Sequence, residues 1–222
     1  MYDIKQNIKI CLIIILKCLQ NKYNRYNKCE VKSVKKKKDL RVIKTQTILY
    51  NTLLELLKEQ PFEKIKVSNI CQRARINRST FYSHYNDKYE LMVDFMNNLK
   101  ESLKDELKKN NYSPNTRDYY IKMIGLLLNH IEEKKDVYQF ALVNNENSII
   151  IEMIENTIID DITRSIEENN YNGNLNIPTE IISKFYIGGV IIVGASWLKG
   201  NIKYSKNQLI EYFDKLIPDN FK

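Results

Sequence analysis

The stretch that decides the fold is Ser68-Asn-Ile-Cys-Gln-Arg-Ala-Arg-Ile-Asn-Arg-Ser-Thr-Phe-Tyr-Ser-His-Tyr-Asn-Asp-Lys-Tyr-Glu-Leu91. Ile70, Cys71 and Ala74 recur at helical spacing behind Ser68, whose side chain suits an N-cap, so a short helix is predicted there. Arg75-Ile76-Asn77 then makes a three-residue turn, and Asn77 caps a second short helix, Arg78-Ser-Thr-Phe-Tyr-Ser-His84-Tyr85. Asp87 is the next N-cap, with Glu90 three positions on as the reciprocal half of a capping box. A long helix follows it, carrying Leu91, Phe95, Leu99, Leu103 and Leu107 on one face. Upstream, Ile43, Ile48, Leu49, Thr52, Leu53, Leu56 and Leu57 form the apolar face of a helix over about 41–59, which Pro61-Phe62 ends. Two short helices about a tight turn, flanked by long ones, make a helix-turn-helix.

Direction along the second short helix separates packing from chemistry. Phe81 and Tyr85 lie one turn apart and face the core with Ile76. Arg78, Ser79, Tyr82 and Ser83 point the other way, with Thr80 and His84 at the margins. An ordinary solvated face mixes Glu and Lys, whereas this one holds hydrogen-bond donors and an aromatic ring. In a major groove Arg78 reaches a guanine edge, while Ser79, Thr80, Tyr82 and His84 hold phosphates or a thymine methyl. Lys88, in the first turn of the long helix, is expected to meet phosphate beside the free backbone N–H groups there.

At these residues the sequence resembles the TetR/AcrR family of bacterial regulators. The resemblance covers about fifty residues, from Arg41 to Leu91, and includes the Thr80-Phe-Tyr-Ser-His-Tyr85 core and the following Asp87-Lys-Tyr-Glu-Leu91. It implies that Arg78, Ser79, Thr80, Tyr82, His84 and Lys88 face DNA. Lys44, Ser68, Asn77 and Ser83 complete the candidate DNA-binding set. Two positions depart from the family pattern: Arg75 stands where the turn usually has Gly, and Lys66 where many members place a Thr cap.

The charge around this core is uneven. Of 35 Lys+Arg and 27 Asp+Glu, residues 1–44 hold 13 and 3, residues 45–100 hold 8 and 6, and residues 101–222 hold 14 and 18. The balance of +10, +2 and −4 sums to the net +8. A basic front and a mildly acidic rear suit a chain whose first part meets a polyanion. Three divisions are expected: a basic extension over 1–40, the helix-turn-helix domain over 41–91, and a helical effector-binding and dimerisation domain over 92–222. In the extension, the apolar run Ile10-Cys-Leu-Ile-Ile-Ile-Leu16 is too short to span a bilayer and has no small-x-small cleavage site behind it. Lys35-Lys-Lys-Lys38 is either a solvated tail or an arm that neutralises phosphate.

Other counts exclude whole classes. Two histidines (His84, His130) and four cysteines (Cys11, Cys18, Cys29, Cys71) make no C-x-x-C, H-x-x-x-H or C2H2 spacing, so no metal and no disulfide frame are expected. The cysteines read as reduced thiols of a cytoplasmic protein. With 6 glycines and neither a phosphate loop nor G-x-S-x-G, the chain lacks the signatures of nucleotide hydrolysis and esterase chemistry, and neither enzymatic activity nor a cofactor is expected.

The remainder reads as all-α, with helices over about 116–132, 136–144, 147–168, 178–199 and 205–217, and breaks at Asn110-Asn-Tyr-Ser-Pro-Asn115 and Asn169-Asn-Tyr-Asn-Gly-Asn174. The segment Phe185-Tyr-Ile-Gly-Gly-Val-Ile-Ile-Val-Gly-Ala-Ser-Trp-Leu198 is apolar nearly all round but short for a membrane span, and suits burial in protein. Covering every side of it needs a neighbour on each, so a second copy of the chain is expected on one face. The interface predicted for the homodimer comprises Phe185, Gly188, Gly189, Ile192 and Ala195 with Leu209, Phe213 and Leu216 of the last helix. Trp197 is read as core or interface. This segment is also similar to the subgroup of regulators of dihydroxyacetone kinase genes.

The resulting expectation is a homodimeric repressor that leaves a double-stranded, palindromic DNA operator when an effector binds. An activator or adaptor docking a kinase-like protein partner instead of a small molecule is the alternative. A membrane-surface protein using residues 1–38 is a third reading, and deleting those residues separates it from the others; no membrane partner is expected.

Overall fold

The computed structural model describes residues 39–113, 117–139, 149–168 and 177–217. The apolar run and lysine cluster of residues 1–38, most of the expected segment 136–144, and residues 169–174 lie outside them. The chain divides into two units, Met1–Lys44 and Thr45–Lys222. The described residues of the first are the opening of α1, where Asp39 accepts a hydrogen bond from the Arg41 N–H (3.0 Å).

Among the described residues the regular structure is helical: α1 (Leu40–Leu57), a 3-10 turn (Phe62–Lys64), α2 (Val67–Ala74), α3 (Arg78–Tyr82), α4 (Lys88–Lys109), α5 (Arg117–Glu133), α6 (Lys135–Tyr138), α7 (Ile149–Glu168), α8 (Thr179–Leu198) and α9 (Lys206–Leu216). The expected all-α class and order are observed. Helix α4 runs across the 91/92 boundary, so one rigid element serves both proposed halves.

The start signals act with local shifts. Helix α2 begins one residue before Ser68, with Lys66 as N-cap, and the Asn69 side chain accepts from the Lys66 N–H (2.9 Å). Asn77 occupies the N-cap of α3 in extended conformation without a side-chain cap bond. Asp87 caps α4 through the Tyr89 and Glu90 N–H groups, both 2.9 Å away. Glu90 reaches back one residue beyond the box position and accepts from the Asn86 N–H (2.6 Å). The α-helical part of α3 ends at Tyr82, and Ser83 and His84 continue as a turn.

Between α2 and α3, Arg75 adopts φ 53° and ψ 44°, the left-handed region where its Cβ is crowded. The turn closes because the Ile76 N–H donates to Cys71 O (3.1 Å). Such strain costs a non-glycine residue about 1–2 kcal/mol, part of which glycine returns through its freer unfolded chain. Arg75→Gly is therefore expected to add about 0.5–1 kcal/mol of stability, a rise of ~1–4 °C in the thermal midpoint. Calorimetry of the two proteins checks this.

Burial follows the sequence period. Leu49, Leu53, Leu56 and Leu57 of α1, Phe62 and Ile65 around the 3-10 turn, Ile70 and Cys71 of α2, Phe81 of α3 and Leu91 and Met92 of α4 are all buried. A bidentate ion pair from Arg73 to Glu59, both contacts 2.9 Å, ties α2 to the residues following α1.

In the second half, α5 and α9 pack antiparallel, with ion pairs at both ends: Arg117 to Asp214 (2.5 Å) and Glu132 to Lys206 (2.6 Å). Their interface buries Ile121, Leu128, Leu209 and Phe213, against which Val190, Val193 and Trp197 of α8 pack. Leu209 and Phe213 were expected at a dimer interface and are instead core residues of the protomer, 3% and 5% exposed, because α5 covers that face of α9. Trp197 belongs to the same core, and its indole N–H donates to Tyr204 O (3.0 Å). Helix α4 is tied to α7 by Lys100 and Lys104, whose ammonium groups lie 3.0 and 2.8 Å from Asp161.

By length and composition α8 is apolar enough to cross a membrane. Its Ile182, Ser183, Ile187 and Leu198 are nevertheless buried in protein, and Ser183 donates to Thr179 O (2.9 Å). A second face stays open, where Ile181, Phe185 and Ile192 are 56%, 75% and 67% exposed.

His130 of α5 sets one pH response. Burial, reinforced by nearby Lys134 and opposed by Glu133, lowers its pKa below the ordinary 6.5. The folded state thus holds the ring neutral, while the unfolded chain lets it take a proton. Stability is expected to fall as pH drops below about 6.5, down to the depressed folded pKa. His130→Phe should flatten that part of the curve in denaturant titrations at successive pH values.

Candidate nucleic-acid interface

Phe81 organises the site. It is fully buried, and Tyr82 and Tyr85 meet its ring at 5.5 and 6.0 Å between centroids. With Phe81 and Tyr85 turned inward, helix geometry leaves Arg78, Ser79, Tyr82 and Ser83 exposed and Thr80 and His84 half-buried. Tyr82, at 56% exposure, is a large aromatic held out in solvent. The Ser83 hydroxyl donates back to Thr80 O (2.7 Å), which orients it on the turn after α3.

Arg78 and Tyr82 open onto a groove of about 480 Å³ that Lys66, Ser68, Asp87 and Tyr89 also line. Ser68 is half-buried there, in the first turn of α2. Asn77 is exposed at the start of α3, and Lys44 is exposed in the other unit.

Lys88 departs from the sequence expectation. It is 9% exposed, and its ammonium donates to Phe62 O (2.7 Å), Glu63 O (2.9 Å) and Ile65 O (2.8 Å). The charge also sits 4.8 Å from the Phe62 ring centroid and 5.2 Å from that of Tyr89. Three donors meet three carbonyls, so the side chain is spent on holding the 3-10 turn rather than offered to phosphate. Two of the N–H groups in the first turn of α4 are likewise taken, by Asp87. Burial lowers the Lys88 pKa, with Glu63 and Asp87 acting against that shift.

Removing the ammonium leaves carbonyls without their charged donor. Lys88→Met is expected to cost about 2–3 kcal/mol of folding stability, read by denaturant unfolding. It should leave the salt dependence of DNA binding unchanged. Lys66→Ala, removing an exposed cation at the groove, should instead lower the salt slope by about 1.

A polar cluster that sequence reasoning missed lies behind α3. Asp94 Oδ2 accepts from Tyr50 Oη (2.6 Å), Tyr85 Oη (2.6 Å) and Gln46 Nε2 (3.0 Å), joining α4, α1 and the residue that closes the reading segment. Burial first, and donation to Asp94 second, push both tyrosine hydroxyls well above their ordinary pKa, so they stay donors. Nothing in the sequence marks Asp94, because one acid on a half-polar helix reads as solvated.

The model of bacterial regulatory proteins of the tetR family matches residues 49–94, and that of a transcriptional regulator C-terminal region in the same family matches 118–219. The chain belongs to the TetR family of transcriptional regulators. That is a family of regulators rather than of enzymes, and residues 49–94, which include α2, α3 and the start of α4, contain the two short helices and their turn.

Among curated relatives, the activator DhaS of the dhaKLM operon in Lactococcus lactis is 31% identical over 106 residues, 46% of this chain and 51% of that protein. The chain thus spans about half the length of that relative, and 14% of YxbF, an uncharacterised Bacillus subtilis regulator 40% identical over 55 residues, 24% of this chain. Among solved structures, the fatty acid degradation regulator FadR of Bacillus halodurans superposes with a TM-score of 0.57 at 16% identity, over 82% of this chain and 96% of that one. FadR of Bacillus subtilis, solved with stearoyl-CoA, gives 0.58 at 12% identity over 78% and 98%. At these identities the two structures support the fold.

Proposed function

We propose that this regulator is a homodimeric repressor that binds a palindromic operator and leaves it when an effector occupies the helical half. The observation that carries the reading is the face of α3: exposed Arg78, Ser79 and Tyr82 around fully buried Phe81. Arg78 and Tyr82 select bases in the major groove, while Ser68, Asn77, Ser79, Thr80, Ser83 and His84 position the helix on the backbone. Lys66 supplies a cation to phosphate, and Lys44 does so from its own unit; Lys88 serves from inside by fixing the turn that leads into α2. On this reading the protein acts in the cytoplasm, where its DNA target lies.

The open face of α8 supports the dimer. Ile181, Phe185 and Ile192 line it, and Gly188, Gly189 and Ala195 lie on the same helix. A Cβ at Gly188, Gly189 or Gly194 would meet nothing within 4 Å among the described residues, so packing against these does not call for a glycine there. A second helix approaching closely does. Leu216, 67% exposed at the end of α9, extends the face, whereas Leu209 and Phe213 support it from within. On this reading residues 92–222 form the dimerisation and effector half.

For the effector, a ligand that prefers one arrangement of the helices tied to α4 shifts the reading heads by its differential affinity. The stearoyl-CoA complex of a structural neighbour supports a small-molecule effector. Similarity to the activator of the dhaKLM operon, a dihydroxyacetone kinase operon, favours a second reading, in which the helical half docks a protein partner and the regulator activates. Footprinting of the DNA flanking its gene, with and without small-molecule and protein fractions of a host extract, followed by transcription in vitro, separates them. Release by the small-molecule fraction with rising transcription supports the repressor. Stimulation that needs the protein fraction supports the activator, and absence of any footprint defeats both.

A further inference from the structure

Helix α4 holds the reading head at two places six residues apart. Lys88 grips the carbonyls of the turn before α2, and Asp94 takes donors from α1 and from Tyr85, one residue beyond the turn that follows α3. Of the two, Asp94 bears on base reading, since Tyr85 is only three residues from Tyr82 and seven from Arg78. Tyr85 is buried, 4% exposed, and its ring lies against Phe81, whose position sets the outward face of α3. A rotation of the Tyr85 ring therefore displaces the pivot about which the base-reading side chains turn.

We propose that Asp94 is a positioning residue for operator recognition: its carboxylate Oδ2, accepting from the Tyr85 hydroxyl and from Tyr50 and Gln46 of α1, fixes α3 at one angle to α4. The inference rests on the DNA-reading role given to α3. Apolar packing around Phe81 keeps the head folded but leaves small rotations open, because dispersion contacts have broad minima. Short hydrogen bonds from two hydroxyls to one carboxylate are directional and close those rotations off. The same bonds make movement of α4 pass directly to α3, so Asp94 also lies where an effector signal reaches the reading segment. Phosphate contacts tolerate angular play, whereas bidentate base contacts do not; loss of the pin should therefore fall on specific binding.

The test uses the full chain and three variants, Asp94→Asn, Tyr85→Phe and the double substitution. Affinity is measured at 20 °C for a duplex that the unsubstituted protein enriches from a random pool, and for an unrelated duplex of equal length. Each single variant should lose about tenfold or more on the enriched duplex and less than about twofold on the unrelated one. The double variant should be no worse than the poorer single, because both act through one contact. Hydrogen exchange without DNA gives the independent measure: amides of residues 80–85 should exchange about tenfold faster in Asp94→Asn, with α8 unchanged. Tyr85→Phe removes one oxygen and serves if Asp94→Asn folds poorly. Unchanged discrimination, additive losses, or unaltered exchange at 80–85 overturns the proposal. If the unsubstituted protein enriches no duplex, the DNA-reading role fails and the positioning role falls with it, whereas normal enrichment with indifferent variants sinks the positioning role alone.

Discussion

Phe185→Glu is expected to turn the proposed dimer into monomers and weaken operator binding by at least ~10²-fold. Phe185 is 75% exposed in the protomer, midway along the open face of α8 between Ile181 and Ile192. A carboxylate at the centre of an apolar helix pair must be desolvated without a partner, which costs several kcal/mol and is counted twice across a twofold axis. Two half-sites bound by linked heads gain about 10²–10⁴ in effective affinity, and that gain disappears when the link is broken. Sedimentation of the variant should give a protomer-sized species with unchanged helicity, and its affinity should approach that for a single half-site. A dimer that persists would move the interface off α8. Substituting Leu209 or Phe213 should instead unfold the protomer, since both belong to the α5–α9 core.

Arg78→Ala is expected to lose about 1–3 kcal/mol of specific binding per half-site, roughly 5–150-fold, while non-specific binding falls much less. Arg78 is exposed at the first position of α3 and lines the groove shared with Ser68 and Tyr82. A guanidinium reads a guanine edge with two parallel bonds, so truncation should relax preference at one base pair of each half-site. Lys66→Ala should lower affinity for all sequences alike. Competition assays against operators altered one base pair at a time distinguish the two effects, and a uniform loss for Arg78→Ala would make it a phosphate contact.

What the sequence made legible was mostly local. Spacing alone turns Phe81 and Tyr85 inward and Arg78, Ser79 and Tyr82 outward, because one helical turn fixes those directions whatever surrounds it. The cap at Asp87 is equally local. Lys88 was misjudged because its place in the first turn of a helix says nothing about a 3-10 turn more than twenty residues earlier that wraps three carbonyls around its ammonium. Asp94 was invisible for the same reason: Gln46 and Tyr50 come to it from 48 and 44 residues away. On α9 the amphipathic pattern shows that Leu209 and Phe213 are covered but not by what; α5 covers them, leaving Leu216 to the outside. Periodicity thus gives faces, and long-range polar contacts need the fold.

The charge distribution takes on a narrower meaning with the interface in view. Residues 45–100 carry only 8 basic groups against 6 acidic. One of the eight, Lys88, is buried and another, Arg73, is paired with Glu59. Few cations remain on the reading head, so specificity must depend on placement, and the placement depends on how α4 holds α3.

We propose that this chain, as a dimer, reads one DNA sequence. Incubating the full-length protein with a pool of random duplexes and sequencing the retained fraction tests it most directly. One enriched inverted repeat is expected, with half-site centres about 10–10.5 base pairs or a multiple apart, and Arg78→Ala should relax its preference at one base pair of each half-site. A retained fraction no different in sequence from the starting pool would contradict it.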